Sequence, residues 1–286
     1  MTSSPIGRLL LLGDERKGGS AALVAGHANR LRAAGLEVDV IVDRDEPLGE
    51  TRADAVVVWG GDGSLLAAAR RMGRHQLPTL GINRGRLGFL TSFEDEQSEL
   101  ALSLLLRGQL REEQRLMFDC RIDGGGSPPA EVLGLNDVVV SRAGAGGMIL
   151  VRARRGDAEL GSYRGDGVIV ATATGSTAYS MAAGGPVLAP ELEAVVLTPL
   201  ASHSLSARPL VLTLGTGFEL EVVETGDMDY AYCIVDGQVQ VKVACGTRIR
   251  IAEAAVRFRH LVQGPRQFFD VLVAKFGFAG MARARP

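Results

Sequence analysis

Residues Val56 to Arg71 read VVVWGGDGSLLAAARR: an apolar run, a cluster of small and acidic residues, then a helical pattern. The first part, Val56 to Trp59, is apolar, β-branched and non-alternating, which is how a strand covered on both faces reads in a parallel sheet. The residues after Trp59 then form a loop at that strand's carboxyl edge. Gly60, Gly61 and Gly63 supply a tight turn and remove side chains that would keep a phosphate away from backbone N–H groups. Ser64 is predicted to cap a helix starting at Leu65, whose free N–H groups and partial positive charge favour an anion. Asp62 is the anomaly, because a carboxylate repels phosphate unless a metal ion lies between them or the carboxylate takes a proton from an attacking group. Both roles belong to phosphoryl transfer. The plain alternative is an ordinary tight turn with Asp62 serving a helix N-terminus.

Outward from this stretch, the flanking sequence alternates strand and helix. Ile6 to Leu12 is predicted as a first buried strand, and the loop Gly13 to Gly19 leads to a helix capped by Ser20. Val24, His27, Ala28 and Leu31 recur at helical spacing on one face, with His27 read as a packed histidine, and Gly35 ends the helix. Leu36 to Val42, Asp54 to Trp59 and Thr79 to Ile82 come next as strands. Such βαβ alternation predicts a doubly wound, Rossmann-like parallel sheet whose ligand sits at the strand carboxyl ends. Asp62 lies at that edge, as does the loop GINRGRLGFL (Gly81 to Leu90).

Glu94 to Arg107 looks helical and stops at Gly108. From about Arg115 the period changes: short β-rich runs recur, among them MFDCRI, EVLGLNDVVV, DGVIVATA, FELEVV and YAYCIVDGQVQVKV, separated by turns such as Gly124 to Pro129 and Thr225-Gly226-Asp227. This predicts an all-β, sandwich-like domain. Pro265 to Phe276 returns to helical periodicity and is expected to pack back on the first domain, with Ala282 to Pro286 a frayed tail. The expected boundaries are 1–110 for an α/β nucleotide-type domain, 111–260 for an all-β substrate-binding domain and 261–286 for the returning segment.

Composition narrows the function classes. A chain of 286 residues with 46% hydrophobic and 22% charged content can bury two medium cores, and its net charge of −2 gives no electrostatic case for nucleic acid or an anionic membrane as partner. Cys120, Cys233 and Cys245 are odd in number, far apart and outside any CxxC pair, which argues against a disulfide framework or a zinc site and fits a reducing cytoplasm. No signal peptide and no apolar segment of roughly 20 residues is legible.

Neither a Walker A sequence nor GxGxxG spacing is present, so the site is judged by its own parts. Beyond GGDGS, the informative stretch is YRGDGVIVATATGSTAYSMAAGGP (Tyr163 to Pro186), where a strand opens into small hydroxyl and glycine residues around Tyr179. Its two readings are a Gly/Ala-rich turn and a pocket for a flat, polar group with Tyr179 as one wall.

GGDGS, GINRGRLGFL, GLNDVVVSR, YRGDGVIVATATGSTAYSMAAGGP and TPLASHSLSARPLVL occur in one order from Val56 to about Val239, and together they resemble the NAD kinase family. The resemblance implies an α/β domain joined to a β-rich domain, and phosphorylation of the 2′-hydroxyl of NAD's adenosine ribose by ATP, or in some members polyphosphate. A divalent cation, Mg²⁺, is implied, held mainly by phosphates near Asp62 with no dedicated protein cage. By position, Asp62 resembles the proton acceptor and Gly63 a substrate contact, while Gly60, Gly61 and Ser64 form the phosphate loop. Asn136 and Asp137 occupy the family's Asn-Glu pair, expected to bond adenine or ribose hydroxyls, with Asp137 one methylene shorter. Arg164 and Asp166 resemble positions that touch NAD, and the Asp-Gly pair can reach a neighbouring subunit's site. Thr177, Ala178, Tyr179, Ser180, Met181 and Ala182 match the segment lining the substrate pocket, Met181 facing the core. Ala201 stands where the family has a backbone contact, and Gln238 is a looser candidate.

Several further features are double-edged. His203 and Arg208 look functional, but a capped turn with one buried Arg explains them equally; Lys17 reads as an exposed loop lysine that could meet a triphosphate. Gly147 stands near a position where some members have a larger polar contact residue. A homodimer or homotetramer with sites near the subunit interface is expected. Two rivals remain: a lipid kinase of the diacylglycerol or sphingosine type, which shares a GGDG turn but is not expected to carry GSTAY or HSLSARP, and a non-catalytic NADP-binding sensor, against which the intact Asp62 speaks.

Overall fold

Apolar runs become strands and the 3.6-residue pattern between them becomes helices, in the order β1 (Arg8–Leu12), α1 (Ser20–Ala33), β2 (Glu37–Ile41), β3 (Ala55–Trp59), α2 (Asp62–Met72), β4 (Thr79–Asn83), β5 (Phe93–Glu94) and α3 (Ser98–Leu106). The computed structural model describes residues 6–16, 18–85, 88–126, 129–144, 146–204, 206–215, 217–264 and 267–277. Lys17 lies outside the described residues, as do Arg86 and Leu87 of GINRGRLGFL, Leu205 of HSLSARPL and the tail from Phe278 onward. The chain divides into two compact units, Met1–Gln114 with Phe258–Pro286, and Arg115–Arg257.

In the first unit β1 pairs parallel with both β2 and β3, and β3 pairs parallel with β4. The order is therefore β4-β3-β1-β2. The chain leaves β1 toward one edge and β3 toward the other, so the order reverses between them. The loops after β1 and β3 flank the crevice where open α/β sheets bind ligands. One face of the sheet, with Leu9, Leu11, Val57, Trp59, Leu80 and Ile82, packs against α1 and α3. Against the other face, Leu65 of α2 comes so close to Gly81 that a Cβ there would stand 2.8 Å from it.

The buried face of α1 is Ser20, Val24, His27, Ala28 and Leu31. Burying Val24 and Leu31 contributes roughly 2 kcal/mol each, more than the few tenths separating most helix propensities, so the face rather than local preference fixes this helix. His27 stacks on Trp59 with ring centroids 5.0 Å apart, confirming a packed histidine. Burial, and then Arg30, push the His27 imidazole below its ordinary value. A base whose folded value is depressed favours folding above its unfolded value, and that contribution fades as pH falls from about 6.5. Chemical denaturation between pH 7.5 and 5 is expected to show stability falling toward acid, less steeply in His27→Gln.

Some boundaries differ from expectation. Gly19, with φ 73°, takes the N-cap position of α1, and Ser20 is its first residue, its Oγ accepting from the Asp14 N–H at 3.0 Å. The helix expected from Glu94 starts later, at Ser98, because Phe93 and Glu94 bridge to β4 and Asp95–Gln97 form a 3₁₀ turn. After the second unit the chain returns through α5 (Gln267–Phe276) to this one, where Phe268 and Phe276 pack on Phe89 at 5.6 and 6.0 Å between ring centroids.

The second unit is a β-sandwich, entered on β6 (Arg111–Gly124) and followed by β7 (Ala130–Gly134), β8 (Asp137–Arg142), β9 (Ile149–Arg155), β10 (Ala158–Gly165), β11 (Gly167–Thr172), the short α4 (Tyr179–Ala182), β12 (Ala194–Leu200), β13 (Leu210–Thr213), β14 (Phe218–Glu224), β15 (Ala231–Val235), β16 (Val239–Val243) and β17 (Thr247–Val262), with residues 111–114 of β6 and 258–262 of β17 belonging to the first unit. One sheet runs β13-β12-β11-β8-β15-β16, every pair antiparallel. The facing layer contains β10-β9-β14-β17 with β6 and β7. Alternate residues of both, among them Phe118, Val140, Val151, Val170, Phe218, Cys233 and Ile249, make one apolar core. Cys120, Cys233 and Cys245 are all free thiols. No helix among the described residues is long and apolar enough to cross a membrane.

Candidate active site

The Gly-rich loop comes directly after β3, and its helix starts three residues earlier than the sequence suggests. Gly61 is the N-cap in extended conformation, Asp62 is the first residue of α2, and Ser64 lies inside the first turn, its N–H donating to the Gly61 carbonyl at 2.8 Å. Ser64 is therefore not the cap. The Gly60 N–H is also committed, donating to the Ile82 carbonyl at 2.9 Å, so Gly60 shapes the turn while its amide belongs to the sheet.

Asp62 is half-buried and aimed at the loop after β4. The N–H groups of Phe89 and Leu90 donate to its two carboxylate oxygens at 2.8 and 2.9 Å. A carboxylate offers about four acceptor positions, so roughly half remain for an incoming group. The loop is fixed from beneath: the Gly88 N–H donates to Thr91 Oγ1 at 2.9 Å, and His260 Nε2 bonds the Leu90 carbonyl at 2.8 Å. Asn83, at the end of β4, is buried with its Nδ2 lacking a hydrogen-bond partner, and its Oδ1 lies 3.9 Å from where a Cβ on Gly61 would stand. Sequence reading placed this loop at the right edge but missed Gly88, the two amides and Asn83. Contacts across some 27 residues leave no local signal.

In the second unit Asn136, Asp137, Ala178 and Tyr179 line one cavity of about 470 Å³ with Ser141, Asp236 and Gln240. Tyr179 is half exposed, at 51%, and forms a wall. The Asn136 Oδ1 is buried without a hydrogen-bond partner. Asp137 is 5% exposed, and burial, reinforced by the neighbouring Asp236, pushes its carboxyl up to about 7. Asp236 accepts hydrogen bonds from the Leu135, Asn136 and Asp137 amides at 2.9, 2.7 and 3.1 Å, a role that sequence reading missed.

The remaining expected residues are arranged differently. Ser180 turns inward, its Oγ 2.9 Å from Thr198 Oγ1, while Thr177 and Met181 are half-buried and Ala182 is exposed. Met181 is thus less enclosed than a core-facing position would be. Arg164 and Asp166 pair with other partners, Glu224 at 2.7 Å and Arg142 at 2.6 Å. Ala201 is exposed with φ 43°. Gln238 donates its N–H to the Val235 carbonyl, and Gln240, two residues on, is the glutamine that lines the cavity. Arg208 is exposed rather than buried, so a turn built round a buried Arg does not explain this stretch. Gly147 has φ 63°, and a Cβ there would stand 2.6 Å from the Asp227 amide nitrogen, which excludes a larger residue.

A carboxylate poised over a Gly-rich turn at the switch point of a parallel sheet, in a chain that also carries a β-sandwich with a polar cavity, defines a two-unit phosphotransferase class. Comparison with known proteins narrows it. Residues 38–110 match the ATP-NAD kinase N-terminal domain and residues 135–262 the ATP-NAD kinase C-terminal domain. The chain is 41% identical over 222 residues to the NAD kinase of Heliobacterium modesticaldum, covering 78% of each protein. It is 35% identical over 265 residues to that of Bifidobacterium longum subsp. infantis, covering 90% of this chain and 78% of the other. The chain belongs to the NAD kinase family. Among solved structures, an NAD kinase from Archaeoglobus fulgidus in complex with ATP aligns at TM-score 0.74 and 28% identity, over 93% of this chain and 97% of that one. Yeast NADH kinase complexed with NADH shares the fold at TM-score 0.87 and 22% identity, over 99% and 91%. These relatives support the NAD kinase reading over the lipid-kinase and sensor readings.

Proposed function

We propose that this enzyme transfers the γ-phosphoryl group of ATP to the 2′-hydroxyl of NAD's adenosine ribose, with Asp62 accepting the hydroxyl proton as the oxygen attacks. The observation that carries the assignment is the Asp62 carboxylate, held by two backbone amides at the carboxyl edge of the sheet with acceptor capacity to spare. Gly61 and the first turn of α2 favour the donor's phosphates, and Gly63 lies against the substrate. Asn136, Asp137, Ala178 and Tyr179 receive part of the dinucleotide, Asn136 through its unpaired Oδ1. Thr177, Ser180, Met181 and Ala182 shape the segment carrying Tyr179, and Arg164, Asp166, Ala201 and Gln238 complete the NAD contacts.

Among the described residues no group of three or more His, Cys, Asp or Glu converges as a metal site. The cation proposed is Mg²⁺, carried chiefly by the substrate phosphates, with Asp62 available as a protein ligand. Bound there, the ion would offset negative charge on the transferring phosphoryl group. The proposed setting is cytoplasmic, and the proposed assembly is a homodimer or homotetramer in which the Asp166 segment approaches a neighbouring site. Incubation of purified protein with NAD, ATP and Mg²⁺ is expected to yield NADP; no NADP under these conditions, with the protein folded, would overturn the reading. Replacing ATP with polyphosphate in the same assay identifies the donor.

A further inference from the structure

Asp236 sits in a backbone conformation, φ 52°, that a non-glycine residue keeps only where its surroundings hold it. What holds it is a two-way clamp. The Asp236 N–H donates to the Asp137 carbonyl at 2.9 Å, while its carboxylate accepts from three consecutive amides, Leu135, Asn136 and Asp137. Three N–H dipoles aimed at one carboxylate favour its charged form. Asp236 is 7% exposed, and Asp137 beside it is 5% exposed, so two acids share a poorly hydrated corner of one cavity.

We infer that Asp236 is a positioning residue of this cavity: it fixes the Asn136-Asp137 backbone and, as the charged partner, leaves Asp137 a neutral carboxylic acid that donates a hydrogen bond to the bound nucleotide. The inference rests on the NAD kinase reading and deepens it. Around Asp137, the cavity is lined from β8, β15, the turn into β16, β16 itself and the Ala178–Tyr179 segment. Among these described residues the titratable groups are Asp137, Asp236 and Tyr179, with no Lys, Arg or His. A negative charge on Asp137 beside that of Asp236 would oppose a dinucleotide that already carries a pyrophosphate. Burial and the Asp236 charge together place the Asp137 transition near neutrality, at about 7, inside the range that binding experiments reach.

Below about pH 6.5 Asp137 holds its proton and donates; above about 7.5 the donor is lost, and the Kd for NAD rises, approaching roughly tenfold per pH unit. The test is NAD titrated against the full-length protein from pH 5.5 to 8.5, in wild type, Asp236→Asn and Asp137→Asn. Asp236→Asn keeps the shape but removes the charge. With no charged neighbour to hold its proton on, Asp137 ionises earlier, and the inflection is expected to fall by about one pH unit, so that this variant binds more weakly than wild type at pH 7 and the two profiles converge toward pH 5.5. In Asp137→Asn the amide is a permanent donor, and Kd is expected to be flat across the range. That variant carries the test if Asp236→Asn does not fold. A flat wild-type profile, an unmoved inflection in Asp236→Asn, or an inflection persisting in Asp137→Asn would each overturn the inference. A wild type that forms NADP yet binds NAD independently of pH sinks the inference alone, whereas absence of NAD binding sinks both.

Discussion

Replacing Asp62 with Asn lowers kcat by about 10²–10⁴-fold while leaving the Kd for NAD within about threefold of wild type. The magnitude is that of a lost general base. The split arises from what the substitution changes. A carboxamide in place of the Asp62 carboxylate would keep the shape and one acceptor oxygen, so one of the amides of Phe89 and Leu90, now bonded at 2.8 and 2.9 Å, keeps its acceptor while the other faces the Nδ2 donor and loses its bond. It cannot take a proton from a ribose hydroxyl at neutral pH. The nucleotide contacts proposed in the β-sandwich do not involve this atom, so ground-state affinity is preserved while transition-state stabilisation is lost. Equal losses in affinity and kcat would instead make Asp62 a structural group.

The second large effect comes from a residue with no side chain. In Gly88→Ala the new Cβ would overlap the carbon and one oxygen of the Asp62 carboxylate and stand 2.6 Å from the other. The loop cannot simply retreat, because its Gly88 amide is tied to Thr91 Oγ1 and its Leu90 carbonyl to His260, both partners fully buried. The carboxylate must therefore swing away, breaking the bonds from Phe89 and Leu90. A displacement of about 1 Å in a reacting group costs on the order of 10²-fold in turnover, and losing two amide–carboxylate bonds costs on the order of 1–3 kcal/mol of stability at a half-exposed site. Steady-state kinetics with denaturant unfolding should show both: kcat down by about two orders of magnitude in a protein that still unfolds cooperatively. A variant with unaltered kcat would mean that Asp62 need not stand where the loop holds it.

Much of this architecture is legible in the sequence, for a physical reason. The run Val56 to Trp59 is buried along its whole length, which is the environment its composition implies, and Val24, His27, Ala28 and Leu31 share the buried face their spacing predicts. Patterns written by burial survive translation into structure. Errors cluster where distant partners decide. Asp, Gly and Ser have low helix propensity, so DGS reads as loop, yet α2 starts at Asp62, whose side chain is occupied by amides 27 and 28 residues later. Likewise Asp236 reaches back some 100 residues to hold Asn136, a pairing set by β15 lying beside β8 and by nothing in either local sequence.

The central claim is that one carboxylate at the sheet edge meets the hydroxyl to be phosphorylated. A crystal structure of the full chain with NAD measures this directly. The account predicts the adenosine ribose 2′-oxygen within about 2.6–3.2 Å of an Asp62 carboxylate oxygen, or one water away. An adenosine ribose bound elsewhere, with its 2′-oxygen beyond the reach of a bridging water, would contradict it.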